Sequence, residues 1–232
     1  MRRSAWVCLF TVPLVVVCLW LVFQHKPQWY KPVRLDEPGL QRVRRDVASL
    51  VDDVGDNMVH GQSFEVTITD RELTEWLTAL PDNWPQVRQA WPAELTEPVI
   101  AFRNGSIWAG VHFESHGWRV ILNVEVTLAV QEDSRYVVVR LRGMSGGSLP
   151  LPRWQLERAL APYLEGSGSP RARSLSEGTH TVSSFRDLRS VHQLFEGVRV
   201  RNRFVWPNGE RPFRLEAIDV ADGTIRLQIA PL

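Results

Sequence analysis

His112, Glu114 and His116 recur at every second position in the stretch VHFESHG. An extended backbone turns all three to one side, and two imidazoles with a carboxylate form a donor set that suits zinc. The intervening residues argue against that use. Ala109, Val111 and Phe113 are the apolar alternates, so they take the core side and leave the histidines facing solvent. His116 also falls in the turn SHG, where the alternation stops. No metal site is expected, and His60, His180 and His192 stand in no motif.

A second candidate is the carboxylate pair Asp70 and Glu72, set where a strand runs into a helix. Paired carboxylates can do general acid–base work. The spacing Thr69-x-x-Glu72 has a plainer meaning. It is the capping box, in which the Thr hydroxyl and the Glu carboxylate each satisfy a free amide of the first helical turn. GMSGGS (143–148) is rich enough in glycine to approach a phosphate, but it leads to prolines rather than to a helix N-terminus. Nucleophile elbow, P-loop, dinucleotide fingerprint and H-E-x-x-H are all missing from the sequence. The chain does not read as an enzyme, with no catalytic residue and no cofactor expected.

Arg199, Arg201 and Arg203 alternate with Val198, Val200 and Phe204, and Arg140 and Arg142 alternate likewise. Guanidiniums on one face could grip lipid phosphates in bidentate fashion. A solvated sheet face is the commoner use of such a row. The net charge of +1 argues against a nucleic-acid partner, whose binders carry a strongly basic footprint. Ten tryptophans suit either a bulky core or a boundary between water and apolar matter.

The elements that would position these groups read as α+β. Residues 36–58 repeat apolar side chains at helical spacing, with Asp36 as cap and Pro38 in the first turn. Residues 64–69 alternate as a strand, and Leu73, Trp76, Leu77 and Leu80 make a helical stripe after it. Residues 81–98 read as a proline-punctuated loop carrying Trp84 and Trp91. A meander follows: 99–103, the Asn104-Gly105 turn, 106–114, then a long strand over 118–131 and its partner over 136–142. Val120, Leu122, Val124, Val126 and Leu128 share one face of the long strand, with Val137, Val139 and Leu141 beside them. SGGSLPLP is expected to break the sheet. Helices are expected over 152–164 and 184–196, a flexible connection near 165–180, and strands over 198–206, 213–220 and 224–229.

The N-terminus sets the compartment. Residues 1–4 form a short tail and residues 5–23 run without a charge, reaching roughly 28 Å as a helix, close to a bilayer core. The run is longer than a signal-peptide core and no small-x-small site follows it. It reads as an uncleaved single-pass anchor, with 24–35 as juxtamembrane linker and 36–232 as an extracytoplasmic domain. Arg2 and Arg3 before the span nearly balance Lys26, Lys31 and Arg34 after it, and the four-residue tail favours translocation of the body. Both cysteines, Cys8 and Cys18, lie within the span, so the body has no disulfide.

The order anchor, amphipathic segment, VTITDRELTEWL, VIAFRNGSIWAGVHF, long strand and MSGGSLPLP resembles bacterial envelope proteins of the YpmS-like and LmeA-type phospholipid-binding families. The likeness spans roughly residues 64–164, and Trp76 departs from the small polar residue usual after "eL". It implies a fold related to the tubular lipid-binding (TULIP) type, in which a long antiparallel sheet wraps a helix and holds lipid. The expected function is a membrane-anchored protein that binds membrane lipid, or another hydrophobic ligand, on the eight apolar residues of the long strands. The alternative is an accessory or scaffolding subunit with a membrane-protein partner. A strand of about 12 residues needs about 26 residues of helix to cover it. The 36–58 helix nearly has that length, so its position decides whether the sheet is covered or open.

Overall fold

The computed structural model describes residues 17, 18, 20–115, 117–155, 191–205 and 212–232. The chain is α+β, with two antiparallel sheets and few helices. Of the apolar N-terminal run, residues 17, 18 and 20–23 are helical, the helix continuing to Gln24, and the rest of the run lies outside the described residues. No helix among the described residues is long and apolar enough to cross a membrane.

Helix α1 (Glu37–His60) starts where its sequence says it should. Asp36 accepts from the Gly39 amide at 2.9 Å, and Gly61 ends the helix at φ 64°, a conformation that costs glycine little. Strand β1 (Phe64–Thr69) leads into α2 (Asp70–Asn83), and α3 (Pro85–Ala90) follows. The expected loop over 81–98 is thus largely helical at its start. Pro81 falls in the last turn of α2, and Pro85 opens α3, where a missing amide is not missed.

The meander is β2 (Leu95–Arg103), β3 (Ser106–Ser115), β4 (Trp118–Val130) and β5 (Tyr136–Gly146). SGGSLPLP does not break it. Strand β5 continues to Gly146, turns at Gly147 and Ser148, and returns as β6 (Leu149–Pro150). Residues 153–155 are helical. The remainder of the helix expected over 152–164, the connection near 165–180, and residues 184–190 lie outside the described residues. Helix α4 (Val191–Glu196), β7 (Val198–Arg201), β8 (Phe204–Val205), β9 (Pro212–Ala221) and β10 (Thr224–Pro231) complete the fold.

The strands divide into a four-stranded sheet, β1-β10-β9-β8, and a six-stranded sheet, β2-β3-β4-β5-β6, with β7 also paired to β5. The core of the first joins Val54 and Met58 of α1 to Val66 and Ile229, with Leu50, Phe64, Leu215 and Leu227 around them. The second half of α1, through Leu50, Val54 and Met58, therefore packs on the four-stranded sheet.

The six-stranded sheet is closed at its β2 edge by α2. The Thr74 hydroxyl donates to the Ile100 carbonyl at 3.2 Å and accepts from the Ile100 amide at 2.9 Å. The Gly223 amide donates to the Phe102 carbonyl, and Asp222 accepts from the Asn104 amide. An exposed row of edge groups would template pairing with another chain, and here much of the row is occupied. Asn202 ties the two sheets together. It is 4% exposed, and its side-chain amide donates to Ser134 and Leu215 carbonyls and accepts from the Leu215 amide.

Candidate functional site

Register sorts the six-stranded sheet into two faces. Residues opposite one another share a face, so Ala109, Val124 and Met144 lie together, as do Phe113 with Val120, Val111 with Leu122, Ile107 with Val126 and Leu141, and Leu128 with Val139. Pairing of Val137 with Val200 and Val139 with Val198 carries the same face onto β7. All eight residues expected from the sequence to line a ligand site therefore share one side. Val120 and Val137 are buried. Leu122, Val124, Val126, Leu128, Val139 and Leu141 are only half-buried.

Two groups rest on this face. Phe195 of α4 meets Leu141, Met144 and Leu151. At the other position, Gly146 lies opposite Leu122, and a side chain built on it would run into the Phe23 ring. The Ser148 amide donates to the Val22 carbonyl at 3.0 Å, and the Ser148 hydroxyl lies 2.7 Å from Nδ1 of His25. The end of the N-terminal apolar run is thus pinned to one end of the apolar face.

The opposite face is not simply wet. Gly110 lies across from Asn123 and Val99, and a Cβ there would stand 2.8 Å from Trp29 and 3.0 Å from Tyr30. The two rings meet edge to face at 6.0 Å, and Tyr30 joins Val99 and Ile121 in a buried cluster. Residues 24–28 accordingly pass from one face of the sheet to the other. Burial, aided by the nearby Glu97 carboxylate, pushes the Tyr30 phenol well above its ordinary pKa. It stays protonated and donates to the Glu97 carbonyl at 2.6 Å, beside a bulge where Glu97 takes φ 51°. The expectation that His112 faces open solvent needs correction, because Trp29 and Tyr30 cover that side of β3. The only sequence sign was a glycine in mid-strand, which can mark a close approach.

The other candidates resolve into structure. The capping box forms as spaced: the Thr69 hydroxyl accepts from the Glu72 amide at 3.1 Å, and Glu72 accepts from the Thr69 amide at 2.7 Å. Asp70 is the first residue of α2. His112 reaches Thr96 at 3.3 Å, and His116 and His180 lie outside the described residues. No cluster of metal donors occurs among the described residues. In the 143–148 stretch, buried Asn123 donates to the Gly147 carbonyl and accepts from Ser145 at 2.6 Å, so its polar groups serve the turn. Arg199 sits across from Val138 and Arg201 across from Tyr136, while Arg140 packs over Gly197. These arginines are exposed, on the face away from the valine row.

Clefts among the described residues include two beside the helices. One, of about 360 Å³, is walled by Arg44, Val47, Ala48, Asp82, Asn83 and Trp84. The other, of about 350 Å³, lies between Val33, Leu35, Leu77, Pro81, Trp91 and Leu95. Glu75, a buried carboxylate on α2, is held by Arg71 at 2.9 Å and Arg42 at 3.4 Å, which binds α2 to α1. No protein-family model, curated protein or solved structure matches this chain.

Proposed function

We propose that this chain is a single-pass membrane protein, anchored through residues 5–23 with its body outside the cytoplasm, that holds a lipid or another hydrophobic ligand on the apolar face of β4 and β5. The observation that carries the reading is the position of α1. It packs on the four-stranded sheet, leaving Leu122, Val124, Val126, Leu128, Val139 and Leu141 half-buried. Burying such a row under acyl chains contributes roughly 25 cal/mol per Å². The likeness to the YpmS-like and LmeA-type families points the same way.

Native mass spectrometry of the full chain released from lipid nanodiscs tests this. The expected result is a mass shift of one lipid that survives gentle activation. A bare mass under conditions that preserve the fold argues against a bound lipid. A second reading, an accessory or scaffolding subunit of a membrane complex, draws on Val51 and Val59 of α1, which are 38% and 68% exposed. Cross-linking from these positions to another membrane protein, together with a bare mass, would favour it.

A further inference from the structure

Among the described residues, the exposed indoles of Trp20 and Trp84 lie at one end of the six-stranded sheet. Helix α2 runs antiparallel to β2. The Asp70 amide donates to Gly223, whose own amide donates to Phe102, Thr74 bonds Ile100, and Leu77 and Pro81 share a cleft with Leu95 and Pro98. Trp84, 43% exposed, follows the last turn of α2 and therefore stands level with the start of β2. Leu95 is opposite Phe113, which is opposite Val120, so this level is also the end at which β5 stops at Gly146. There Ser148 holds Val22, and Trp20, in the helical segment just before it, is 40% exposed.

Beyond β6 the chain turns back only as far as Leu151, whose amide donates to the Met144 carbonyl at 2.9 Å. Trp154, 61% exposed, follows Arg153, whose guanidinium lies 4.7 Å from the Phe195 ring, beside Leu141 and Met144 in the middle of the sheet. Trp84 lies by the β2 edge, and Val22 leaves the body at the turn between β5 and β6. At the far end, Asn202 bonds the turn at Arg135, and the exposed apolar residues nearby include Val205 and, bonded to its partner Pro212, Leu232.

An indole favours the headgroup layer because it pairs a large apolar ring with one N–H donor. Lys26, whose ammonium lies 5.5 Å from the Tyr30 ring, adds a cation where anionic headgroups would stand. We infer that this end of the body seats on the bilayer surface, with Trp84 entering the headgroup layer beside the anchor's exit. The inference rests on the membrane reading above and fixes the orientation of the body. It puts the Leu122 end of the apolar face at the membrane, so that an acyl chain passes from bilayer to sheet without crossing water.

The test places a photoreactive benzoylphenylalanine at position 84 or 205 of the full chain, reconstituted in nanodiscs of phosphatidylcholine and phosphatidylglycerol. Lipid adducts on irradiation are expected at 84, in clear excess over those at 205. Equal yields at the two positions, or adducts confined to 205, would overturn the seating. Alkaline carbonate extraction of the same samples reports separately on the anchor. A chain retained in the membrane without adducts at 84 loses the seating and keeps the anchor. Adducts on a chain that carbonate releases would do the reverse.

Discussion

The ring of Phe23 fills the place that a side chain at Gly146 would take. The last residue of the apolar N-terminal run is thereby locked to the face of the sheet that carries Leu122 and Val124. Gly146→Val should force the ring out and cost about 1–3 kcal/mol, the usual penalty for an overfilled contact. In a Phe23→Ala background the same substitution should cost little, since the obstacle is gone. Denaturant titrations of the four proteins check this. A coupling below about 0.5 kcal/mol, the additivity expected of distant sites, would refute the contact.

Thr74 performs two tasks with one hydroxyl, donating to and accepting from Ile100 on the edge of β2. Its residue is 2% exposed, so water cannot replace it. Thr74→Val keeps the shape and strands a donor and an acceptor, which should cost about 2 kcal/mol. Thr74→Ser should recover most of the loss. If valine and serine proved equally stable, the hydroxyl would have no such role.

Tyr30 gives the fold an alkaline limit. Its phenol has an ordinary pKa of 10.0 that burial raises in the native state. Above pH 10 the unfolded chain gives up this proton while the folded chain keeps it, so the unfolded state binds fewer protons and stability falls as pH rises. Below pH 10 the contribution is complete. The stability advantage of the native protein over Tyr30→Phe should therefore shrink as pH climbs past 10. A pH-independent difference up to the point of global unfolding would contradict the buried position of the ring.

Local chemistry was readable from sequence where neighbours in the chain decide it. The Thr69–Glu72 box, the Asp36 cap, the Asn104-Gly105 turn and the alternation along β4 each depend on residues a few positions apart, and each formed where expected. What could not be read was which surface each element would meet. The stripe of α1 fits either sheet, and only the path of the C-terminal strands, with Ile229 and Leu215 beneath Val54 and Met58, decides it. Nothing near Trp29 and Tyr30 in the chain tells that they pack on β3, where Gly110 makes room for them. The eight apolar residues of the long strands were grouped correctly because a period of two is intrinsic to a strand. Whether they line a ligand site depends on what leaves them half-buried.

Val124 offers the most direct trial of that point. It lies mid-strand, opposite Ala109 on one side and Met144 on the other, and is half-buried. Val124→Trp puts a bulky ring where an acyl chain would lie. If the face is open to ligand, the substitution should abolish uptake of a fluorescent phospholipid at little cost to stability, because the ring fills space that protein does not use. If the face is a closed core, the same ring overpacks it and should cost about 1–3 kcal/mol. Thr127, one step past Val126 on the other face of β4, gives the control: Thr127→Trp should leave uptake intact. A loss of stability of that size at Val124, with no uptake even by the unmodified protein, would sink the lipid-binding reading and leave the scaffold as the better account.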